Sequence, residues 1–456
     1  MKILSSIVRI GTISILGRLL NPEDFGIMGI LMIIVGISQI ISQFGLGAAI
    51  IQKQDIIKED LHAVLFVSII IAVLFSIIVL ILADGIAQFF NNSLIKRPLQ
   101  LMSIIFVIDS VRVIQYALAQ KRMDFKYISI ISVLSYFLGN CLITIILALN
   151  NLGIWALVIG YVSSSVISLI AFTIKYGFFT PLLPSKRFKN LVSFGSYYTL
   201  ARLANHFASM VDYFLIGRIL GAQQLGYYSR AYQLMNTPAE FLGGTIQKIL
   251  FPAYSRIQMD LVNLQKQYLL SNRILAYPSV IIFTIIFIWS EEITRLILGP
   301  GWDPTIIPLK ILSAGLILKN GYKTTVPVLN ALGLVKKQAL IEFIYLAAIL
   351  LGAYIGSLFG INGVSVGVVS SLLVIFIFSS YISVRELNIS VKSYLAQYLN
   401  SALIGLTIWI GYILLKAEVT YLLIFILSIA LIVLYLLKKN YFNTELAVVN
   451  KFLKHR

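Results

Sequence analysis

The chain has 456 residues, of which 59% are hydrophobic and only 12% charged, with a mean hydropathy of +0.93. Soluble globular chains carry about 45–50% apolar and about 25% charged residues, so this composition argues for a membrane protein. The formal charge of +18 is scattered over many short loops, without the dense basic stripe and stacking aromatics of a nucleic-acid surface, which argues against nucleic acid as a partner. The one cysteine, Cys141, lies in an apolar run and excludes an internal disulfide or a cysteine-based metal site.

Apolar length and breaker residues predict an all-α protein of about 14 transmembrane helices. The first six spans fall near 3–20, 25–50, 61–83, 98–119, 127–149 and 152–174. Six more fall near 191–217, 224–250, 268–290, 305–332, 338–358 and 362–384, and a last pair near 395–415 and 419–437, followed by a basic tail. The opening stretch MKILSSIVRIGTISILGRLL has a short apolar run interrupted by Arg9 and no small-residue cleavage site, so it reads as a short first span rather than a signal peptide.

Basic residues collect on alternate loops. One side holds Lys53, Lys58, Lys121, Arg122, Lys126, Lys175, the 186–189 cluster, Lys336, Lys337 and the tail; the other holds few, among them Arg18, Lys96, Arg218 and Arg295. By the positive-inside rule this bias places both termini in the cytoplasm and requires an even number of spans. The tail at 438–456 reads as an interfacial segment attracted to anionic membrane lipids.

The sequence also repeats itself. GRLLNPEDFG (17–26) returns as GRILGAQQLG (217–226), LGIWALVIGYVSS (152–164) as FGINGVSVGVVSS (359–371), and the AQKRMDF loop (119–125) falls where ALGLVKKQ (331–338) falls in the second copy. Copies separated by an even number of spans have the same orientation and form a parallel repeat. The expected domains are therefore an N-terminal lobe, 1–186, a C-terminal lobe, 187–390, and a final helix pair with its tail, 391–456. Gly26 and Gly226 are expected to allow tight backbone at the start of the second and eighth spans.

Several spans carry polar stripes. In the seventh, Arg202, Asn205, His206, Ser209 and Asp212 share one helical face; the eighth has Arg230, Gln233, Thr237 and Glu240. The fourth has Asp109, Arg112 and Tyr116, and the tenth Lys319, Asn320, Lys323 and Thr324. A charge at the bilayer centre costs at least about 2.5–3.5 kcal/mol, so such residues face a cavity or a partner. Asp109 and Arg112 could simply pair at i, i+3, and Arg9 could either join a cavity lining or snorkel to the interface. The five-member stripe of the seventh span exceeds the needs of one interhelical bond. A hydrated cavity with net positive lining is the better account, its candidate residues being Arg112, Arg202, Asn205, His206, Asp212, Arg230, Gln233, Glu240, Lys319 and Lys323. His206 is expected to be a hydrogen-bonding member of the stripe, a proton-coupling imidazole being the alternative. Cationic lining selects anionic cargo, such as a lipid-linked diphosphate bound by charge-assisted hydrogen bonds. Tyr116, Tyr198, Tyr213, Tyr227, Tyr228 and Tyr232 could stack on sugar rings, interfacial anchoring being the commoner use of tyrosine.

The stretches RLLNPEDFGIMGI, FGLGAAIIQKQD, LAQKRMDFKYIS, GIWALV, DYFLIGRILGAQQLGYYSRAYQL, LFPAYSRIQ and LGPGWDP resemble bacterial polysaccharide exporters. These form the Wzx-type, O-antigen-flippase-like branch of the multidrug/oligosaccharidyl-lipid/polysaccharide exporter superfamily. The likeness runs in order from about residue 9 to 385. It implies fourteen helices, two six-helix lobes around a central cavity, alternating access, and an undecaprenyl-diphosphate-linked oligosaccharide as cargo. Polysaccharide polymerase and glycosyltransferases are the implied pathway partners. No cofactor is implied, and coupling to a proton or sodium gradient is left open. The chain departs from the pattern in having fewer residues before RLLNPEDFG than relatives usually carry. A multidrug exporter of the same fold should favour acidic lining for cationic drugs. A membrane polymerase or glycosyltransferase needs a sizeable extramembrane segment with catalytic acids, whereas the longest connections here are short and hold lone Asp residues. The reading is a transporter, not an enzyme.

Overall fold

The computed structural model describes residues 2–43, 46–52, 57–182, 199, 203 and 206–414. Every regular element in them is helical. In chain order these are α1 (Lys2–Leu19), α2 (Pro22–Gln43), α3 (Leu46–Gln52), α4 (Lys58–Phe89), α5 (Lys96–Met102), α6 (Ile104–Lys121), α7 (Phe125–Leu149) and α8 (Ile154–Tyr176). There follow α9 (206–220), α10 (Ala222–Arg256), α11 (Leu261–Ile288), α12 (Ser290–Ile297), α13 (Ile306–Ala331), α14 (Val335–Ser357), α15 (Gly360–Glu386) and α16 (Val391–Leu414). The long helices fall where spans were expected, whereas the short α12 lies between the expected spans 268–290 and 305–332. The expected fourteenth span, the basic tail and most of the seventh span's first half lie outside the described residues.

Local signals explain the boundaries. Pro22 opens α2 with Glu23 and Asp24 in its first turn, and the Asn21 N–H donates to Asp24 Oδ2 at 3.1 Å, which satisfies a donor the helix cannot. Gly153 and Gly360, equivalent in the repeat, precede or open α8 and α15 with φ of 53° and 71°, a conformation costly to any residue with a Cβ. Two helices pass through π-helical segments, α7 at Tyr136–Ile143 and α9 at Ile216–Leu220. Such bulges occur often at functional sites.

Among the described residues, eight helical segments are long and apolar enough to cross a membrane, and the longest, α4, shows what solvent it was built for. Its buried positions include Ser68, Ala72, Ser76, Ala83 and Ala87, while Leu74, Ile77, Ile78, Ile81 and Leu82 are exposed. Small residues inward and large apolar residues outward is the packing of a helix in lipid. The polar-striped helices α10 and α13 are not among the eight. This is an all-helical, multi-pass membrane protein.

The contacts divide the chain into two compact units. The first comprises 1–237, 290–312 and 344–372. Within it Leu46, Ile50, Leu61, Val64, Leu65, Ile114 and Leu118 form a closed apolar cluster among α3, α4 and α6. The second comprises 238–289, 313–343 and 373–456. There α16 lies along α11, held by Arg273 Nε donating to Gln397 Oε1 at 2.8 Å, by Tyr398 donating to Asn272 Oδ1 at 2.9 Å, and by Tyr268 stacked on Tyr394.

Candidate cargo site

Arg112 projects from α6 one turn beyond Asp109, and the two meet at 2.6 Å. Asp109 is fully buried, and its second oxygen accepts from Gln39 Nε2 of α2 at 2.6 Å. Arg112 donates a further bond to Ser168 of α8 at 3.0 Å, and Gln39 Nε2 also reaches the Tyr161 hydroxyl at 3.4 Å. Three helices thus share one network in which each charge has a counter-charge and a neutral partner, Gln39 donating to Asp109 and Ser168 accepting from Arg112. Sequence spacing identified the Asp109–Arg112 pair. It gave no sign of Gln39, Tyr161 and Ser168, which belong to other helices and lack a charge to mark them.

Arg230, on α10, is placed differently. Its guanidinium lies over the Phe25 ring, 4.4 Å from the centroid, and its Nε is buried without a hydrogen-bond partner. One helical turn on, Gln233 Oε1 is also buried without one. Arg9 of α1 stacks over Tyr136, 5.4 Å from the centroid, and both Arg9 and Arg230 act electrostatically on the Tyr136 hydroxyl. Tyr136 is the first residue of the π segment in α7. One guanidinium therefore stacks on the phenol and a second lies within electrostatic reach of it. Arg9 is itself exposed and touches this cluster through the Tyr136 ring. Tyr136 went unnoticed in the sequence because it looks like any aromatic in an apolar run.

The remaining candidates are distributed as follows. His206 Nε2 is 3.2 Å from the Ile33 carbonyl, and its imidazole occupies the space beside Gly36 that a larger residue would need. Asp212, 2% exposed, accepts from the Tyr228 hydroxyl at 2.6 Å and from the Tyr213 N–H at 2.9 Å. Arg202 and Asn205 lie outside the described residues. In the second unit, Lys323 Nζ reaches the Ala239 carbonyl at 3.4 Å and sits in the field of both Lys319 and Glu240, so these three candidates are neighbours. Asn320, between the lysines, is buried, donates to Ser279 Oγ at 2.9 Å and leaves Oδ1 unpartnered. Glu342, solitary in the sequence, accepts from the Tyr322 hydroxyl. The tyrosines considered for sugar stacking instead engage one another or nearby rings: Tyr213 and Tyr232 both pack on Tyr228, Tyr227 packs on Trp302, and Tyr116 on Phe172. Tyr198 is outside the described residues. No cluster of three or more His, Cys, Asp or Glu suited to a metal occurs among the described residues.

Ionisable groups are thus held inside a bundle with an apolar exterior, where an unpaired charge is expensive. Residues 15–307 match the family model described as polysaccharide biosynthesis protein, and the chain belongs to that family. Among curated relatives, an uncharacterized membrane protein of the cps region of Klebsiella pneumoniae is 26% identical over 65% of this chain and 62% of its own length. The lipopolysaccharide biosynthesis protein WzxC of Escherichia coli (strain K12) is 24% identical over 82% of this chain and 76% of its own. The chain thus spans between about three fifths and three quarters of the length of these relatives. Among solved structures, the lipid II flippase MurJ in an inward closed conformation superposes with a TM-score of 0.79 at 15% identity, covering 97% of this chain and 98% of that one. An inward-facing multidrug resistance MATE transporter of the MOP superfamily gives 0.67 at 16% identity over 84% and 94%. These establish the MurJ/MATE-like fold of the expected superfamily.

Proposed function

We propose that the protein is a flippase that carries an undecaprenyl-diphosphate-linked oligosaccharide from the cytoplasmic to the outer leaflet for surface polysaccharide synthesis. Lobes 1–186 and 187–390 rock about a central cavity, with both termini in the cytoplasm. The observation that carries the reading is the Arg9–Tyr136–Arg230 cluster, with its unpartnered Arg230 Nε and Gln233 Oε1. A buried guanidinium whose Nε has no acceptor is costly unless something supplies one. A diphosphate supplies several acceptor oxygens, and Gln233 Oε1 is placed to accept from a sugar hydroxyl or amide. The lipid tail stays in the bilayer while the head crosses. A multidrug exporter with cationic cargo is the poorer reading, because no carboxylate among the described residues pairs with Arg230, whereas the buried Asp109 is already paired.

The test is complementation of a flippase-deletion strain with a titrated copy of the gene. The wild-type chain should restore surface polysaccharide and clear lipid-linked repeats from the cytoplasmic leaflet, and Arg230→Ala should do neither at equal membrane abundance. Normal export by a double Arg9→Ala, Arg230→Ala variant would sink the proposal.

A further inference from the structure

The two copies of the repeated turn touch each other. Gly26, in the first turn of α2, lies against the carbonyl of Ala222, and Gly226, at the same place in α10, lies against the carbonyl of Pro22. A Cβ on either glycine would overlap the facing oxygen. The contact is reciprocal, as at any two-fold interface.

The arginines of the two turns extend the contact, and they cross over. Arg18, from the first copy, donates to the carbonyls of Leu296 at 2.6 Å and Ile297 at 3.3 Å. Those oxygens belong to the last turn of α12, where carbonyls lack intrahelical partners and the helix dipole favours a cation. The backbone of Gly299, at φ 91°, passes directly against the Arg18 side chain, and Trp302 Nε1 donates to the Gly17 carbonyl at 2.8 Å. Arg218, from the second copy, reaches the corresponding loop of the first copy. It lies over the Phe89 ring, 4.8 Å from the centroid, and its NH1 is 2.8 Å from the Asn91 amide oxygen when that amide is turned to donate to Gln88. Each copy therefore holds the other.

We infer that this crossed clasp is a gate at the rim of the repeated turns, and that it is coupled to the anion site through Phe25. This inference rests on the transport reading. The Phe25 ring carries Arg230 on one side and packs edge-on against Trp302, 5.5 Å away, on the other. Trp302 in turn holds the backbone of Gly17, next to Arg18. Opening the rim must separate the glycine faces and release both arginines in one event. The two halves of the clasp are unequal: Arg18 holds helix-end carbonyls, whereas Arg218 rests chiefly on a ring.

The experiment uses the full-length chain in cells, with Cys141→Ser removing the native thiol and Ser229→Cys as reporter. Ser229 is 2% exposed and lies one turn inward of Gly226, to whose carbonyl it donates at 2.9 Å. A membrane-impermeant maleimide added outside should label it slowly. Arg18→Ala should raise the labelling rate about tenfold. Arg18→Lys should raise it less, and Arg218→Ala by about twofold to threefold. Gly26→Ala should also raise it, although alanine is the better helix former, which separates gate opening from poor folding. Equal labelling in all these variants, or faster labelling after Arg218→Ala than after Arg18→Ala, would overturn the clasp. Labelling does not depend on cargo. Failure of the wild-type chain to restore export, with labelling as described, would therefore refute the transport reading and leave the gate.

Discussion

Arg112 and Arg230 look alike in the sequence, each an arginine on the polar stripe of an apolar helix, yet their surroundings have opposite character. Arg112 is 27% exposed and fully engaged, with Asp109 and Ser168 as partners. Arg230 has an aromatic face beneath it and an Nε that nothing among the described residues satisfies. A charge neutralised from within fastens helices together. A buried guanidinium N–H without an acceptor is costly to the empty protein, which is the ground for the proposed anion role of Arg230. The difference separates a fastening from the proposed binding group more sharply than the stripes themselves do.

The largest effect should come from breaking the fastening. Arg112→Ala leaves the buried Asp109 carboxylate with only Gln39, and loss of one partner of a buried pair costs about 3–5 kcal/mol. A fall of that size in thermal or denaturant stability in detergent is the expected result. Asp109→Asn combined with Arg112→Met should recover most of it, since no charge is then stranded. If the double variant were as unstable as the single one, Arg112 would have a role beyond pairing.

Arg230→Ala should do the reverse. It removes a desolvated cation, whose burial is costly, along with a cation–π contact worth about 2 kcal/mol or more, so the two effects oppose and the loss of stability should be smaller than for Arg112→Ala. Binding of undecaprenyl diphosphate to the purified protein should weaken by about 10–100-fold, the worth of about 1.5–3 kcal/mol for bonds to a charged group. Arg230→Lys, which keeps the charge but not the planar fork, should fall between. A variant that binds normally but melts early would place Arg230 with Arg112 and erase the contrast.

How much of this was legible beforehand depended on where the information resides. Helix positions could be read because apolar length and breakers such as Pro22 and Gly360 act within a segment. The Asp109–Arg112 pair could be read for the same reason, both residues being on one helix. What could not be read was the partner from elsewhere. Nothing in the sequence brings Gln39 and Ser168 to Arg112, or sets Phe25 beneath Arg230 and Arg9 against Tyr136. The ten-residue echo that ends on Gly26 and Gly226 announced a duplication, but not that the two copies would press against each other. Tertiary neighbours decide whether a polar residue is satisfied, and a single helix cannot report them.

His206 falls between the two arginines and offers a smaller test. Its Nε2 faces the Ile33 carbonyl at 3.2 Å, an acceptor that calls for a protonated nitrogen at all times. His206→Gln keeps a donor and should retain export with an unchanged pH profile, while His206→Ala should lose about 1 kcal/mol of stability. A flattened pH profile of export in the glutamine variant would instead make this imidazole a proton carrier.

The smallest effect is expected at the membrane edge, where pairing is again internal but water competes. Asp124 caps α7 by accepting from the Tyr127 N–H, and it also holds the Lys175 ammonium and the Tyr176 hydroxyl. The hydrogen bond from Lys175, then that from Tyr176, holds the Asp124 carboxyl below its ordinary value of 3.8. A carboxyl lowered in the folded state stabilises it above the unfolded pKa, and that contribution is lost as pH falls through the folded value. Amide exchange at residues 125–127 should therefore stay slow down to about pH 4 and quicken only below the ordinary carboxylate range. Asp124→Asn should keep the cap, lose the ion pair and remove this acid limb, with little change of stability at neutral pH, because an exposed pair is screened by water. The contrast with Arg112 then becomes quantitative. The same kind of ion pair matters several-fold less at the rim of the bundle than among α2, α6 and α8, since it is the exclusion of water that makes a stranded partner expensive.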